Sequence, residues 1–158
     1  MSVERVREAL KGTSLENKII VLEESSATVA LAAHALHTEP DRIAKTLSFL
    51  VKDEPVLVVV SGEARIDNRK FKDTFGTKAK MIPAEQCEEL TGHAPGGVCP
   101  FARKEGVRCF LDRSLQKYDI VYPAAGDAAS AVEATIEDLE ACTGFEAWVD
   151  IATEAEQA

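Results

Sequence analysis

Ile43-Ala44-Lys45-Thr46-Leu47-Ser48-Phe49-Leu50-Val51, then Lys52-Asp53-Glu54, then Pro55-Val56-Leu57-Val58-Val59-Val60: two apolar, β-rich runs flank a short polar break. The pattern predicts a hairpin over 42–60, with Val56 to Val60 as a buried strand. One residue is out of place. Alternation puts Lys45 on the same strand face as Ile43, Leu47 and Phe49, away from Ala44, Thr46 and Ser48. A charge on the more apolar face needs a partner or a cleft, because leaving it bare in a core costs several kcal/mol. The alternative is a strand-end lysine that reaches solvent.

Upstream, Val3, Val6 and Leu10 recur at helical spacing and Gly12 closes a first helix. Lys18 to Leu22 reads as a strand. Ser25 or Ser26 is the expected cap of an Ala-rich helix to Leu36, with Val29, Ala32, Ala33 and Leu36 on one face. Downstream, Asp67 or Asn68 caps a basic helix that ends near Phe75-Gly76, and Lys80-Met81-Ile82 reads as a short strand. Pro83 is expected at the first position of a further helix to Leu90. Strands are expected at 107–112, 119–122, 131–135 and 147–149, with a last helix from Glu137-Asp138 to Gly144. Interleaved helices and strands with direct strand-to-strand links predict one α/β domain with a mixed sheet. Residues 1–152 are assigned to that domain and 153–158 to an acidic tail.

The chain has 158 residues, 46% of them hydrophobic and 28% charged, enough for one self-sufficient core. Its net charge of −9 is unevenly spread: residues 1–64 balance at −3, 65–117 at +4, and 118–158 at −10 with no Lys or Arg. General nucleic-acid coating and DNA binding are therefore not expected, although a local basic site is allowed. Arg65, Arg69, Lys70, Lys72, Lys78 and Lys80 form one basic stretch and Arg103, Lys104, Arg108 and Arg113 another. Each can meet phosphate or simply be a solvated face. No apolar run reaches a membrane span, and the start lacks a secretory core, so a cytoplasmic protein without a membrane partner is expected. Cys87, Cys99, Cys109 and Cys142 are irregularly spaced, which predicts reduced thiols.

The least regular segment is Thr91-Gly92-His93-Ala94-Pro95-Gly96-Gly97-Val98-Cys99-Pro100, a shaped loop. His93 is a candidate general base there and Cys99 a candidate nucleophile, yet neither has a visible partner in the sequence. His34 and His37 would share a helix face without further ligands, so surface histidines are expected. No GxSxG, HExxH or GxxxxGK[ST] pattern occurs.

Three segments in order, Ile43-Ala44-Lys45-Thr46-Leu47, then Thr91-Gly92-His93 with Gly96-Gly97-Val98-Cys99-Pro100-Phe101, then Phe110-Leu111-Asp112-Arg113-Ser114-Leu115, resemble the YbaK family of aminoacyl-tRNA deacylases. That family is related to the editing insertion domain of bacterial prolyl-tRNA synthetase, and the likeness runs from Thr28 to Ile151. It implies a single α/β domain on a mixed, curved β-sheet surrounded by helices. It implies hydrolysis of the ester of a mischarged aminoacyl-tRNA, typically tRNA for proline, without metal or organic cofactor. The implied partners are the tRNA acceptor end and prolyl-tRNA synthetase.

On this resemblance, Lys45 and Gly96 are the catalytic candidates, Lys45 by binding the terminal nucleotide and Gly96 by placing the carbonyl and a water. Thr28, Gly97, Val98, Cys99 and Pro100 join them in substrate binding, the loop matching the family's GxxxP. Some members, including those acting on cysteinyl-tRNA, carry a serine and an aspartate where this chain has Ala124 and Ala131. This departure argues against cysteinyl-tRNA and leaves the amino acid open among alanine, serine, threonine and other small residues. The alternative is a non-catalytic tRNA-end or nucleotide-binding module of the same fold.

Overall fold

The computed structural model describes residues 2–154. The expected hairpin is its spine: β2 (Ile43–Val51) pairs antiparallel with β3 (Glu54–Ser61), in a register that sets Lys45 opposite Val60 and Val51 opposite Glu54. Lys52 and Asp53 alone make the turn, both at positive φ (51° and 67°), which matches the twist of the two strands. Residues 56–60 are fully buried, as a strand covered on both faces requires.

Around this pair a six-stranded mixed sheet runs β8-β6-β2-β3-β5-β9. Parallel contacts join β2 to β6 (Ile120–Pro123), β3 to β5 (Arg108–Asp112) and β5 to β9 (Trp148–Val149); β8 (Ala134–Thr135) is antiparallel to β6. The sheet curls into a half-barrel. One face packs on α1 (Ser2–Leu10), Leu15 and α5 (Ile136–Cys142) through Val6, Leu10, Val59, Leu111 and Leu139. The other packs on α3 (Asn68–Phe75), where Phe71 and Phe75 meet Phe49 and Phe110 in a chain of ring contacts 4.7–5.2 Å apart.

Several boundaries differ from the reading of the sequence. The cap of α2 (Val29–Leu36) is Thr28, whose Oγ1 accepts from the Leu31 amide at 3.1 Å; neither Ser25 nor Ser26 has that place. Ser26 instead exchanges hydrogen bonds with Ser130 and so ties the start of α2 to β7 (Ser130–Val132). Pro83 is the residue before α4 (Ala84–Thr91), and Lys80-Met81-Ile82 makes a single bridge to Phe49. The stretch 131–135 divides at Glu133: β7 pairs with β1 (Ile19–Val21) and β8 with β6.

The two-stranded pair β4 (Arg65–Ile66) and β10 (Ala152–Thr153) has no counterpart in the sequence reading. Thr153, expected in the tail, lies opposite Arg65 in that pair; residues 155–158 of the expected tail lie outside the described residues. Asp112 is buried and accepts from the amides of Ser114 and Ile151, at 2.9 and 2.8 Å. Ser114 Oγ in turn accepts from the Ser61 amide at 3.1 Å. The third motif segment thus joins β5, β3 and the chain's end, and acts as scaffold.

Candidate functional site

Strand β2 has β6 beside it only at Ile43 and Ala44, and the Lys80–Ile82 segment only beyond, where the Leu50 amide donates to Lys80 and the Ile82 amide to Ser48. Between these neighbours the edge is open at Lys45 and Thr46. A pocket of about 170 Å³ opens there. Its walls come from five separate segments: Ser26 to Val29 at the start of α2, Ala44 to Thr46, Gly96 and Val98, Tyr122 and Ala124, and Ser130 and Ala131. Thr28, Lys45, Gly96 and Val98, far apart in sequence, are brought together. Gly97, Cys99 and Pro100 are buried and are not part of this wall.

Lys45 is half-buried and its Nζ donates to the Ala64 carbonyl at 2.6 Å. Burial holds its pKa below the ordinary 10.5; Asp41 pulls it back up and Arg65 pushes it further down. Its nearest hydrogen-bond partner is thus a neutral carbonyl, so an ammonium with spare donors faces the pocket. Asp41 is buried below. It accepts from the Tyr118 hydroxyl at 2.7 Å and the Glu63 amide at 3.0 Å, and pairs with Lys117. Burial raises the Asp41 pKa, but the bonds from Lys117, Tyr118 and Glu63 outweigh it and leave the carboxyl below 3.8.

The glycine loop has two sides. Toward the pocket, Gly96 (φ +91°) and Val98 present a wall without a titratable group. A Cβ on Gly97 would lie 2.5 Å from the Gly126 carbonyl, so only glycine lets the loop pack against 126–127. Behind it, His93 and Cys99 are fully buried. His93 Nε2 lies 2.7 Å from the Phe101 carbonyl. A carbonyl only accepts, so Nε2 carries the proton and Nδ1 is the bare nitrogen.

Burial lowers the His93 pKa, against the Phe101 hydrogen bond, so the ring is neutral at pH 7. Cys99 Sγ sits 3.6 Å from the protonated nitrogen, and burial pushes its thiol up to about 12. A base for this thiol would need the opposite tautomer. The pair is packing, and neither residue is aimed at the pocket. His34 and His37 are exposed, and no group of ligand-type side chains able to hold a metal occurs among the described residues.

The sequence reading missed Thr46, Tyr122, Ser26 and Ser130 as lining residues. Thr46 Oγ1 is buried without a hydrogen-bond partner, the one such hydroxyl in the pocket wall among the described residues. Nothing in the sequence marks it, because its distinction is the gap in strand pairing beside it. Ala124 and Ala131, identified in the sequence as apolar replacements, do lie in the wall.

The sequence profile of the aminoacyl-tRNA editing domain matches residues 23–142, a span that includes every wall residue. The chain belongs to the aminoacyl-tRNA editing domain family. An uncharacterized protein, YwhH of Bacillus subtilis (strain 168), is 40% identical over 152 residues, covering 96% of this chain and 97% of the relative. Proline–tRNA ligase of Streptococcus equi subsp. equi (strain 4047) is 27% identical over 80% of this chain, which spans 20% of that ligase. A solved protein proposed as a trans-editing enzyme for prolyl tRNA synthetase superposes with a TM-score of 0.85 at 31% identity, covering 96% of this chain and 97% of its own. The crystal structure of hypothetical protein APE2540 gives 0.84 at 28% identity, over 94% and 99%. No helix among the described residues is long and apolar enough to cross a membrane.

Proposed function

We propose that this editing-domain chain is a free-standing aminoacyl-tRNA deacylase. It removes a small amino acid esterified to the 3′ end of a tRNA, with tRNA for proline as the leading candidate. The observation that carries this reading is the convergence of Thr28, Lys45, Gly96 and Val98 on one small pocket at an open strand edge. Likeness to a section of proline–tRNA ligase, and to a protein proposed as a trans-editing enzyme for prolyl tRNA synthetase, supports the choice of tRNA and of that synthetase as partner.

The pocket suits ester hydrolysis with few reactive side chains. An aminoacyl ester is already activated, so placing it beside a water and offering donors to the developing oxyanion supplies much of the acceleration. In this reading the loop backbone at Gly96 and Val98 positions carbonyl and water. Lys45 binds the terminal nucleotide phosphate with the charge that Ala64 leaves unneutralised. Thr28 has its hydroxyl engaged by the α2 cap, so its methyl group and the Val29, Ala32, Ala124 and Ala131 side chains meet the amino acid. Such a wall favours a methyl-sized apolar group, and alanine is the first substrate to try. One methylene in an apolar pocket is worth about 1–3 kcal/mol, so serine and threonine belong in the same panel.

The test is hydrolysis of tRNA for proline charged with alanine, serine, threonine, cysteine or proline, by wild type and Lys45→Ala. The expected result is release of a small non-cognate amino acid, lost in the variant. Binding of charged tRNA without hydrolysis of any ester would favour the non-catalytic module instead.

A further inference from the structure

A chain with a net charge of −9 gathers most of its unpaired positive charge in one stretch, between Lys52 and Lys80. Among the described residues, most cations outside this stretch are engaged. Lys11 pairs with Glu8, Arg42 with Asp119, Arg108 with Glu146, Arg113 with Asp150 and Lys117 with Asp41. Arg103 donates to the carbonyls of Pro100, Val107, Thr143 and Gly144, and Lys104 to that of Glu89. The second basic cluster of the sequence is therefore largely internal wiring. Arg65, Arg69, Lys72, Lys78, Lys80 and Lys52 are exposed and make no ion pair or hydrogen bond through the charged group; elsewhere among the described residues Arg7 and Lys18 are in that condition.

The six fall between residues 52 and 80, at the β2–β3 turn, on β4 and α3, and in the segment that returns to the edge of β2. Lys45 reaches the Ala64 carbonyl, and Arg65 comes next in the chain, close enough to repel the Lys45 charge. Asp67 caps α3 and Phe71 buries its inner side, which leaves Arg69 and Lys72 on the outside. Lys80 follows along the far half of β2, where its carbonyl accepts from Leu50, and the turn residue Lys52 reaches to Gly76. From Lys45 to Lys52 the strand rises about 23 Å, enough to follow several successive phosphates. Acidic residues are present on this side too: Asp73 on α3, Asp53 and Glu54 at the turn, and Glu63 before β4. Asp67 is engaged as the cap and Lys70 is held by Asp150.

We infer that this stripe, from Arg65 across Arg69 and Lys72 to Lys78 and Lys80, is the track on which the phosphodiester backbone of the tRNA acceptor stem lies while its 3′ end occupies the pocket at Lys45. The inference rests on the deacylase reading and extends it from the pocket to the outer face of α3. Contacts of this kind position the substrate without reading sequence, and they depend on salt.

The test compares two substrates, the mischarged tRNA and an aminoacyl ester of adenosine that has no stem. Wild type is set against Arg69→Ala/Lys72→Ala/Lys78→Ala and against a control, Arg7→Ala/Lys18→Ala. The triple variant is expected to lose about tenfold or more in kcat/KM on tRNA, through KM, and to keep its rate on the adenosine ester. Its dependence of log(kcat/KM) on log salt should flatten by about 2, near 0.7–0.9 per lost phosphate contact. Full tRNA activity in the triple variant, or an equal loss in the control, would overturn the inference. Should wild type hydrolyse neither substrate, the deacylase reading fails and the stripe is judged by filter binding of uncharged tRNA. Weaker, less salt-sensitive binding by the triple variant alone would then support it, and unchanged binding would overturn it.

Discussion

The two sides of the Thr91–Pro100 loop invert what their residue types suggest. The back holds a histidine and a cysteine 3.6 Å apart, the pairing that a search for nucleophiles would choose. It is fully buried, neutral, and joined through the wrong ring nitrogen. The front holds a glycine, a valine and, across the gap, a lysine, and it is the side that opens. The side that opens is therefore set by which backbone faces an unpaired strand edge.

The largest effect is expected at Lys45. Lys45→Ala should lower kcat/KM for deacylation by about 10- to 150-fold, the worth of a charge-assisted contact of ~1.5–3 kcal/mol, with the circular-dichroism spectrum unchanged. Retention of wild-type rates would remove the front side from the account.

Next comes the loop itself. Gly97→Ala sets a methyl group against the Gly126 carbonyl and should cost about 2 kcal/mol or more in thermal or urea unfolding. Gly96→Ala meets only side-chain methyls at 3.4–3.5 Å and is penalised through its φ of +91°, by about 1–2 kcal/mol. A Gly97→Ala protein more stable than Gly96→Ala would contradict the packing described.

Asp41→Asn sharpens the role of the buried carboxylate beneath the pocket. Asp41 has a folded pKa below its unfolded 3.8, so its stabilisation is present above 3.8 and is lost as pH falls through the folded value. The variant should be less stable by about 1–3 kcal/mol at pH 7, and the difference from wild type should shrink below pH 3.8. It also removes the one carboxylate that supports the Lys45 charge, so the alkaline loss of substrate binding should move to lower pH. The smallest effect is expected away from the loop, on α5. Cys142 is the only cysteine not buried, so iodoacetamide should modify it first and leave the deacylation rate intact.

Much of the fold was legible because its signals are local. The apolar runs 43–51 and 55–60, the Lys52-Asp53 turn and the Asp67 cap each follow from neighbouring residues. The errors come where partners are distant. Thr28 displaces Ser25 and Ser26 as the cap because Ser26 is held by Ser130, 104 residues away. The β4–β10 pair is two residues on each side, too short for any periodicity. In the site, Lys45 announced itself as a charge on an apolar face, and the resemblance supplied Thr28 and Gly96. Thr46 and Tyr122 were silent, because being in the wall depends on where β6 stops pairing with β2. His93 and Cys99 were conspicuous as types, and only burial and the tautomer fixed by Phe101 show them to be structural.

The most direct measurement is the single-turnover deacylation rate of alanyl-tRNA for proline by wild type, Lys45→Ala and Cys99→Ala side by side. The front-side account predicts a loss of about 10- to 150-fold for Lys45→Ala and a rate within about threefold of wild type for folded Cys99→Ala. A folded Cys99→Ala that is inactive while Lys45→Ala remains active would contradict it.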